Sequence, residues 1–213
     1  MNKQKITVII TSVVVIIGFV IATFLYNSNQ DAKDSLIAKE KESLFVRAHS
    51  PQMGPTDAPV QLVEFMDPEC ESCRVFYSFV KHLMKKYEGK IQLTIRYVPF
   101  HGNSKFAIAI LESARKQGKY WETLEILFEK QPLWGNHHKP SPELIWNYLP
   151  MVGVDVDQVK KDYQDPAYAK LIEQDFADAR ELGVKATPTF FINGKPLRNF
   201  GYEQLEAQIK EHL

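Results

Sequence analysis

The fold of this chain is decided by the stretch 60-VQLVEFMDPECESC-73, in which an almost wholly apolar run leads into two cysteines. Such a run predicts a central strand at residues 60–66 that is covered on both faces of its sheet. Asp67-Pro68 ends this strand, and apolar residues at helical spacing predict a helix over about residues 70–89. A second strand is predicted at residues 91–100. Two strands joined by a helix form a right-handed parallel unit, so the sequence predicts an α/β domain.

The remaining sequence predicts a helical block, a hairpin and a last helix. Residues 100–187 hold several amphipathic runs and no convincing strand. After them, predicted strands at residues 189–192 and 195–198 flank Asn193-Gly194, which is a strong two-residue hairpin signal. The closing helix is predicted from about Tyr202.

The composition limits the classes of function. The 213 residues carry 26 Lys and Arg against 26 Asp and Glu, for a net charge of zero, and 45% of them are apolar. These values fit one packed domain with accessory segments, and they exclude collagen-like, disordered and disulfide-dense proteins. A neutral chain has no positive field to hold a phosphate backbone, so no nucleic-acid partner is predicted.

The N-terminus predicts a membrane anchor. Residues 6–26 are 21 consecutive residues without a charge, enough for a helix to span a hydrocarbon core of about 30 Å. A cleaved signal peptide is the alternative, but the apolar run is longer than usual and no small-residue cleavage site closes it. Lys3 and Lys5 favour a cytoplasmic N-terminus and therefore a translocated domain. The predicted boundaries are residues 1–26 for the n-region and anchor, 27–42 for a polar tether, and 43–213 for the domain.

Cys70 and Cys73 are predicted to carry the chemistry. Residues three apart in the first turn of a helix have Cβ atoms about 5–6 Å apart, so a small adjustment brings the sulfurs within bonding reach. At the helix start Cys70 faces unbonded N–H groups and the positive end of the helix dipole, which favour a thiolate. We therefore expect Cys70 to lie exposed as the attacking sulfur, with Cys73 one turn deeper as the resolving sulfur. Half of a zinc site and a chance pair are the alternatives, but zinc needs four ligands and no second cysteine pair exists.

Three segments carry a resemblance to a known family: 63-VEFMDPECESC-73, 97-YVPFH-101 and 184-VKATPTFFING-194. Over roughly residues 44–213 the chain resembles the DsbA-type thiol–disulfide oxidoreductases. The resemblance implies a thioredoxin fold with a helical insertion at about residues 103–183, and a place outside the cytoplasm.

The resemblance also implies a cis peptide bond between Thr187 and Pro188, close to the cysteine pair. A cis proline at the start of a strand exposes neighbouring backbone groups that can pair with an extended substrate. Thr187 and Pro188 are therefore predicted to bind substrate.

Glu64 is a further candidate because it lies within the central strand. Strand alternation places it on the apolar face of Val60, Leu62 and Met66, where burial raises the pKa of a carboxyl group. A protonated Glu64 could relay a proton to or from Cys73, and members of the resembled family carry an acid at this position. The alternative is a glutamate neutralised by a nearby lysine, with no part in catalysis.

The residues around the cysteines depart from the most oxidising members of the resembled family. Those members place Pro-His between the cysteines, whereas this chain has Glu71-Ser72, with Asp67 and Glu69 close by. Negative charge destabilises a thiolate, so we expect a weaker oxidant than the Pro-His relatives. His101 follows the second strand and could reach the site, but its position favours packing in a loop.

These observations predict a membrane-tethered thiol–disulfide oxidoreductase, anchored once in the cell (inner) membrane with its catalytic domain in the periplasm or otherwise extracytoplasmic. Its partners are client proteins with thiols or disulfides and a membrane redox partner that recharges the pair, and no cofactor is implied. Oxidase, reductase and isomerase activities remain open because they are one exchange reaction run with different partners. The rival hypotheses are a binding protein that holds a soft metal such as Cu(I) at Cys70 and Cys73, and a redox-silent chaperone.

Overall fold

The computed structural model describes Ile17, Ile21 and residues 43–136 and 138–213. Apart from those two isoleucines, the predicted membrane helix and the predicted tether lie outside the described residues. Within the part of the chain that the structure describes, no helix combines the length and the apolar character needed to cross a bilayer.

The chain divides into two compact units, Met1–Ser43 and Leu44–Leu213. The second unit contains a five-stranded sheet with the strand order β1-β3-β2-β4-β5. β2 and β3 are parallel, with Val60 opposite Ile91 and Met66 opposite Tyr97, and the other neighbouring strands are antiparallel. The strands are β1 Gln52–Met53, β2 Val60–Met66, β3 Ile91–Tyr97, β4 Thr189–Ile192 and β5 Lys195–Pro196.

Helices connect and flank the strands. The helix between β2 and β3 and the helix after β5 contact one another, and the remaining helices follow β3. The α-helices are α1 Glu71–Lys86, α2 Ser104–Lys116, α3 Tyr120–Trp134, α4 Ile145–Tyr148, α5 Val156–Asp162, α6 Pro166–Glu181 and α7 Tyr202–Lys210. Two 3₁₀ turns, Pro142–Leu144 and Leu149–Val152, border α4.

Two hydrophobic cores lie on the two faces of the sheet, as the alternation of β2 predicts. The larger core contains Val60, Leu62 and Met66, and the smaller one contains Val63 and Phe65. Both cysteines belong to the larger core. The face that carries Glu64 is therefore also the face on which the cysteines pack.

Most local predictions are confirmed. β2 has the predicted bounds, α1 ends at Lys86, somewhat before the predicted Gly89, and the described residues between β3 and β4 are helical or irregular. The hairpin turn has positive φ at Asn193 (49°) and Gly194 (75°), as a type I′ turn requires. Two strands are shorter than predicted and β1 was not predicted, because its two residues give no periodic signal.

β3 ends at Tyr97 because the backbone then turns toward the end of β2. The Val98 N–H donates to the Met66 carbonyl at 2.9 Å, and Pro99 has no N–H to continue a ladder. The Phe100 N–H then donates to Asp67 Oδ2 at 2.8 Å. This turn brings the residues after β3 next to the loop that leads into the cysteines.

A buried ionic network fixes the start of the domain to β3 and α6. The Arg96 side chain is fully buried, and its guanidinium contacts Asp175 at 2.8 Å and Asp178 at 2.5 Å. It also donates to the Leu44 carbonyl. Arg47 pairs with Asp178 at 2.7 Å, and His49 contacts Asp175 at 2.6 Å. Arg96 is thus the cation that contacts both buried carboxylates, and Arg47 and His49 each contact one of them.

We predict that Arg96→Met lowers the free energy of unfolding by about 3–5 kcal/mol, because Asp175 and Asp178 lose the fully buried cation that contacts both of them. Urea unfolding measures the change. Arg198→Met is the matched control: Arg198 pairs with Glu211, but its side chain is 65% exposed, so a change below about 1 kcal/mol is expected. Equal effects of the two substitutions would show that the Arg96 network contributes nothing specific.

Candidate active site

Cys70 occupies the N-cap of α1. Its backbone is extended (φ −74°, ψ 123°), and Glu71 is the first helical residue. The Cys70 N–H donates to the Asp67 carbonyl at 3.1 Å, and the Arg74 N–H donates to the Cys70 carbonyl at 3.1 Å. The Cys70 sulfur therefore faces the free N–H groups of the first helical turn, as the sequence predicts.

The two cysteines differ in depth, and both are free thiols. Cys73 is completely buried, as predicted for the resolving sulfur, whereas Cys70 is 8% exposed. The expectation that Cys70 lies openly exposed is wrong, because the segment before β4 covers it. Cys70 Sγ donates to the Thr187 carbonyl oxygen at 3.2 Å.

Thr187 and Pro188 lie beside the cysteines, as predicted. The peptide bond between them is cis, as the resemblance implies. β4 starts at the next residue, Thr189, which lies opposite Phe65 in β2. The neighbouring strands β2 and β4 thus bring the two halves of the site together although they are far apart in sequence.

The pKa values of the two thiols move in opposite directions. A hydrogen bond from Cys73 lowers the pKa of Cys70 to about 5 against the opposing effect of burial, with help from the Thr187 side chain and the backbone N–H groups of Cys73 and Ser72. Burial raises the pKa of Cys73 well above its ordinary value, and its hydrogen bond to Cys70 adds to this. Near neutral pH the pair is therefore a Cys70 thiolate that accepts a hydrogen bond from a Cys73 thiol.

The acids near Cys70 do not have the effect that the sequence suggests. Asp67 accepts hydrogen bonds from the N–H groups of Glu69 at 2.9 Å and Phe100 at 2.8 Å. Glu69 accepts from the Asn103 N–H at 2.6 Å and from Asn103 Nδ2 at 2.7 Å, and Glu71 is exposed to solvent. The largest causes of the shift in the pKa of Cys70 include none of these acids, and the expected rise is not found. The weaker oxidant stays a prediction, which a measurement of the reduction potential would check.

Glu64 is buried, with 2% of its surface exposed, as predicted. Burial, followed by the negative charge of Cys70, raises the pKa of Glu64 to about 8. The charge of Glu64 in turn contributes to the raised pKa of Cys73. The causes of the Glu64 shift include no lysine within the described residues, so the alternative of a neutralising lysine gains no support.

Gln131 is a site residue that the sequence analysis missed. It lies on α3 with 1% of its surface exposed, and its Nε2 donates to the Pro68 carbonyl at 2.8 Å and to the Cys70 carbonyl at 2.9 Å. Arg74 Nε donates to Gln131 Oε1 at 3.1 Å, which orients the amide. No local pattern marks a single glutamine in an amphipathic helix, so only the packing of α3 shows that it holds the cysteine loop.

Asp67 and His101 form a second contact that the sequence analysis understated. His101 Nδ1 lies 2.7 Å from Asp67 Oδ2, and the Asp67 N–H donates to Cys73 Sγ at 3.5 Å. His101 thus contacts the loop that leads into the cysteines and does more than pack in its own loop.

A shallow aromatic groove borders the first turn of α1. Its lining includes Glu71, Ser72, Val75, Phe76 and Tyr202. The Phe76 ring packs on Tyr202 with a centroid distance of 4.5 Å and, outside this lining, on Phe200 at 4.6 Å. Phe200 is 61% exposed and Val75 is 45% exposed. An apolar surface therefore lies open to solvent next to Cys70.

Comparisons with known proteins agree on the fold. Residues 47–211 match a family model described as thioredoxin. The chain is 29% identical to disulfide bond formation protein D of Bacillus subtilis, over 76% of this chain and 77% of that protein. The crystal structure of oxidised BdbD from Bacillus subtilis superposes with a TM-score of 0.68 at 29% identity, covering 77% of this chain and 92% of that one.

A third relative is a much longer protein. The Na(+)/H(+) antiporter NhaA of Herminiimonas arsenicoxydans is 32% identical over 68% of this chain, but the chain spans only 22% of its length. The match therefore covers one segment of that protein.

We predict that the reduced protein develops thiolate absorbance at 240 nm with a midpoint near pH 5, because hydrogen bonds lower the pKa of Cys70. Cys73→Ala removes the strongest donor, and a hydrogen bond to a charged group contributes about 1.5–3 kcal/mol, so the midpoint should rise by about one pH unit or more. Cys70→Ser is the control and should show no thiolate below pH 9, since Cys73 ionises only at higher pH. A wild-type midpoint above pH 8 would contradict this account.

Proposed function

The chain belongs to the DsbA-like thioredoxin family and is a thiol–disulfide oxidoreductase, and from that premise we propose that Cys70 exchanges disulfides with client proteins outside the cytoplasm. The observation that carries the proposal is the asymmetry of the pair. Cys70 is the more accessible sulfur with the lowered pKa, and Cys73 is fully buried with a raised pKa. A thiolate is the nucleophile in disulfide exchange, and a thiol of low pKa is also the better leaving group.

The proposed exchange passes through a mixed disulfide at Cys70. In the reducing direction the Cys70 thiolate attacks a client disulfide, and one client sulfur leaves as a thiolate. Cys73 then loses its proton and attacks Cys70 Sγ, which forms the Cys70–Cys73 disulfide and releases the second client thiolate. The oxidising direction is the reverse sequence, so the partner that recharges the pair sets the direction.

Glu64 is proposed to move the proton of Cys73. Its carboxyl is buried on the face where both cysteines pack, and its pKa of about 8 leaves a minor ionised fraction at neutral pH. An ionised Glu64 can accept the Cys73 proton as that sulfur attacks, and a protonated Glu64 can return it in the reverse direction.

Thr187 and Pro188 are proposed to bind the client backbone. The Thr187 carbonyl lies 3.2 Å from Cys70 Sγ and Thr187 is half-buried, so an extended client segment that reaches the sulfur also reaches this backbone. The aromatic groove offers a partly apolar surface beside the first turn of α1, directly after Cys70 in sequence. Client recognition by backbone pairing and apolar contact would tolerate many sequences.

The membrane anchor is proposed from the sequence. Residues 6–26 carry no charge and follow Lys3 and Lys5, which favours a single-pass helix with a cytoplasmic N-terminus. Residues 27–42 would then tether the domain at the outer face of the cell (inner) membrane, within reach of a membrane redox partner.

The soft-metal alternative has weaker support. Within residues 43–136 and 138–213, no group of three or more His, Cys, Asp or Glu side chains is arranged as a metal site. The redox-silent chaperone alternative gives no reason for the opposite pKa shifts of Cys70 and Cys73.

We predict that full-length Cys73→Ala accumulates client proteins as mixed disulfides, because the resolving sulfur is gone. Gels run with and without dithiothreitol after acid quenching and alkylation detect the adducts, and Cys70→Ser should form none. The adducts should stay with the membranes after carbonate extraction, and replacing residues 1–26 by a cleavable signal peptide should release them. Metal binding without adducts would support the alternative function, and adducts that are never membrane-bound would refute the anchor.

We predict that Glu64→Gln slows release of the client from the mixed disulfide by about tenfold or more at pH 7, while capture by Cys70 is little changed. The wild-type release rate should rise with pH up to about 8, where Glu64 ionises, and the variant should lack this rise. Glu112→Gln is the matched control, since Glu112 is also buried but bonds Tyr97 and Arg115. Stopped-flow measurement with a fluorescent disulfide peptide separates capture from release, and equal release rates in all three proteins would exclude the relay.

A further inference from the structure

His101 is held in a fixed position at the edge of the candidate site. Its N–H donates to Asp67 Oδ2 at 3.2 Å and to Ser104 Oγ at 3.2 Å, and its ring contacts the same carboxylate oxygen at 2.7 Å. The side chain is 27% exposed. The ring is therefore positioned by the protein and still able to exchange a proton with water.

Asp67 links His101 to the cysteines. Its carboxylate is completely buried, and it accepts from the ring of His101 and from the N–H groups of Glu69 and Phe100. The N–H of the same residue donates to Cys73 Sγ at 3.5 Å. Asp67 thus contacts His101 through its carboxylate and the Cys73 sulfur through its backbone N–H.

The charges that act on His101 come from the loop that carries Cys70. Burial lowers the pKa of His101, but the hydrogen bond and charge of Asp67, followed by the charges of Cys70 and Glu69, outweigh it and leave the pKa raised. The contribution of Cys70 exists only while its sulfur is a thiolate. When the sulfur is part of a disulfide it carries no charge, so His101 binds its proton less tightly.

We propose that His101 takes up a proton when the Cys70–Cys73 disulfide is reduced, and that the resulting imidazolium balances the charge of the Cys70 thiolate. The proposal rests on the proposed exchange function and adds a positioning residue to it. His101 does not touch the substrate, and it acts through the charge of the site.

The proton balance of the exchange follows from this assignment. A client dithiol that reduces the pair gives up two electrons and two protons and becomes a disulfide. The Cys70–Cys73 bond breaks, one proton goes to Cys73 Sγ, and Cys70 keeps the electron pair of its sulfur as a thiolate. The second proton is divided between His101 and water according to the rise in the proton affinity of His101, so the imidazolium offsets part of the new thiolate charge.

The test is an NMR titration of the histidine rings in the full chain, in its dithiol and disulfide forms. The proton affinity of His101 should be roughly 3- to 10-fold higher in the dithiol form, as expected for a nearby charge of opposite sign. The ring signals of His82, which is exposed on α1, serve as the reference. Cys70→Ser should give the lower affinity in reducing buffer also. Identical His101 curves in the two forms would overturn the proposal.

Two variants separate this role from a purely structural one. Linkage is reciprocal, so the Cys70 thiolate should depend on the charge of His101 as strongly as His101 depends on the thiolate. His101→Gln should therefore raise the proton affinity of Cys70 by the same roughly 3- to 10-fold, because Asp67 then lacks its cation. Asp67→Asn should lower the midpoint, because near pH 5 it leaves a protonated His101 without its anion. Midpoints that move in the same direction in both variants would contradict the charge coupling.

The outcome is distinguishable from a failure of the proposed function. Client capture by Cys73→Ala is measured separately and does not require His101. Identical His101 titrations with capture intact overturn this inference alone, whereas absent capture overturns the exchange function whatever His101 does.

Discussion

The hydrogen bonds that the Cys70 sulfur accepts set the protonation state of the cysteine pair. The sulfur lies at the N-cap of α1, where the backbone N–H groups of Ser72 and Cys73 and the Cys73 thiol stabilise its thiolate. On the other side of the sulfur, the Thr187 side chain also lowers the pKa of Cys70, and the Thr187 carbonyl lies 3.2 Å away, where it can accept a hydrogen bond from the protonated thiol. A sulfur held between donors and an acceptor can be stable both as thiolate and as thiol, which disulfide exchange in either direction requires.

The helical region after β3 contributes directly to the cysteine loop. Gln131 on α3 holds the carbonyls of Pro68 and Cys70, and Asn103, just before α2, binds the Glu69 carboxylate. Buried polar groups of the loop between β2 and α1 therefore find their hydrogen-bond partners in the helical region and not in the sheet. This arrangement holds the first turn of α1 in place and gives the Glu69 carboxylate hydrogen-bond donors from Asn103.

The two cysteines, Glu64 and His101 influence one another through their charges. The charge of Cys70 raises the pKa of Glu64 and of His101, and Glu64 raises the pKa of Cys73. A change in the protonation of one of these groups therefore changes the proton affinity of the others. Glu64 is buried beneath the pair while His101 is partly exposed at its edge. Proton movement inside the site and proton exchange with water can thus be served by different residues.

The sequence alone determined the elements whose signals are local. The apolar run of β2, the Asn193-Gly194 turn and the buried position of Glu64 follow from periodicity and turn chemistry, and the spacing of Cys70 and Cys73 predicts the redox pair. The tertiary structure decided the surroundings of that pair, because its partners are distant in sequence. Gln131 is 61 residues from Cys70, and Thr187 is 117 residues away. The direction of the shift in the pKa of Cys70 depends on which hydrogen-bond donors point at its sulfur. The sequence shows which acidic residues are close to Cys70 along the chain, but it does not show how those donors are oriented.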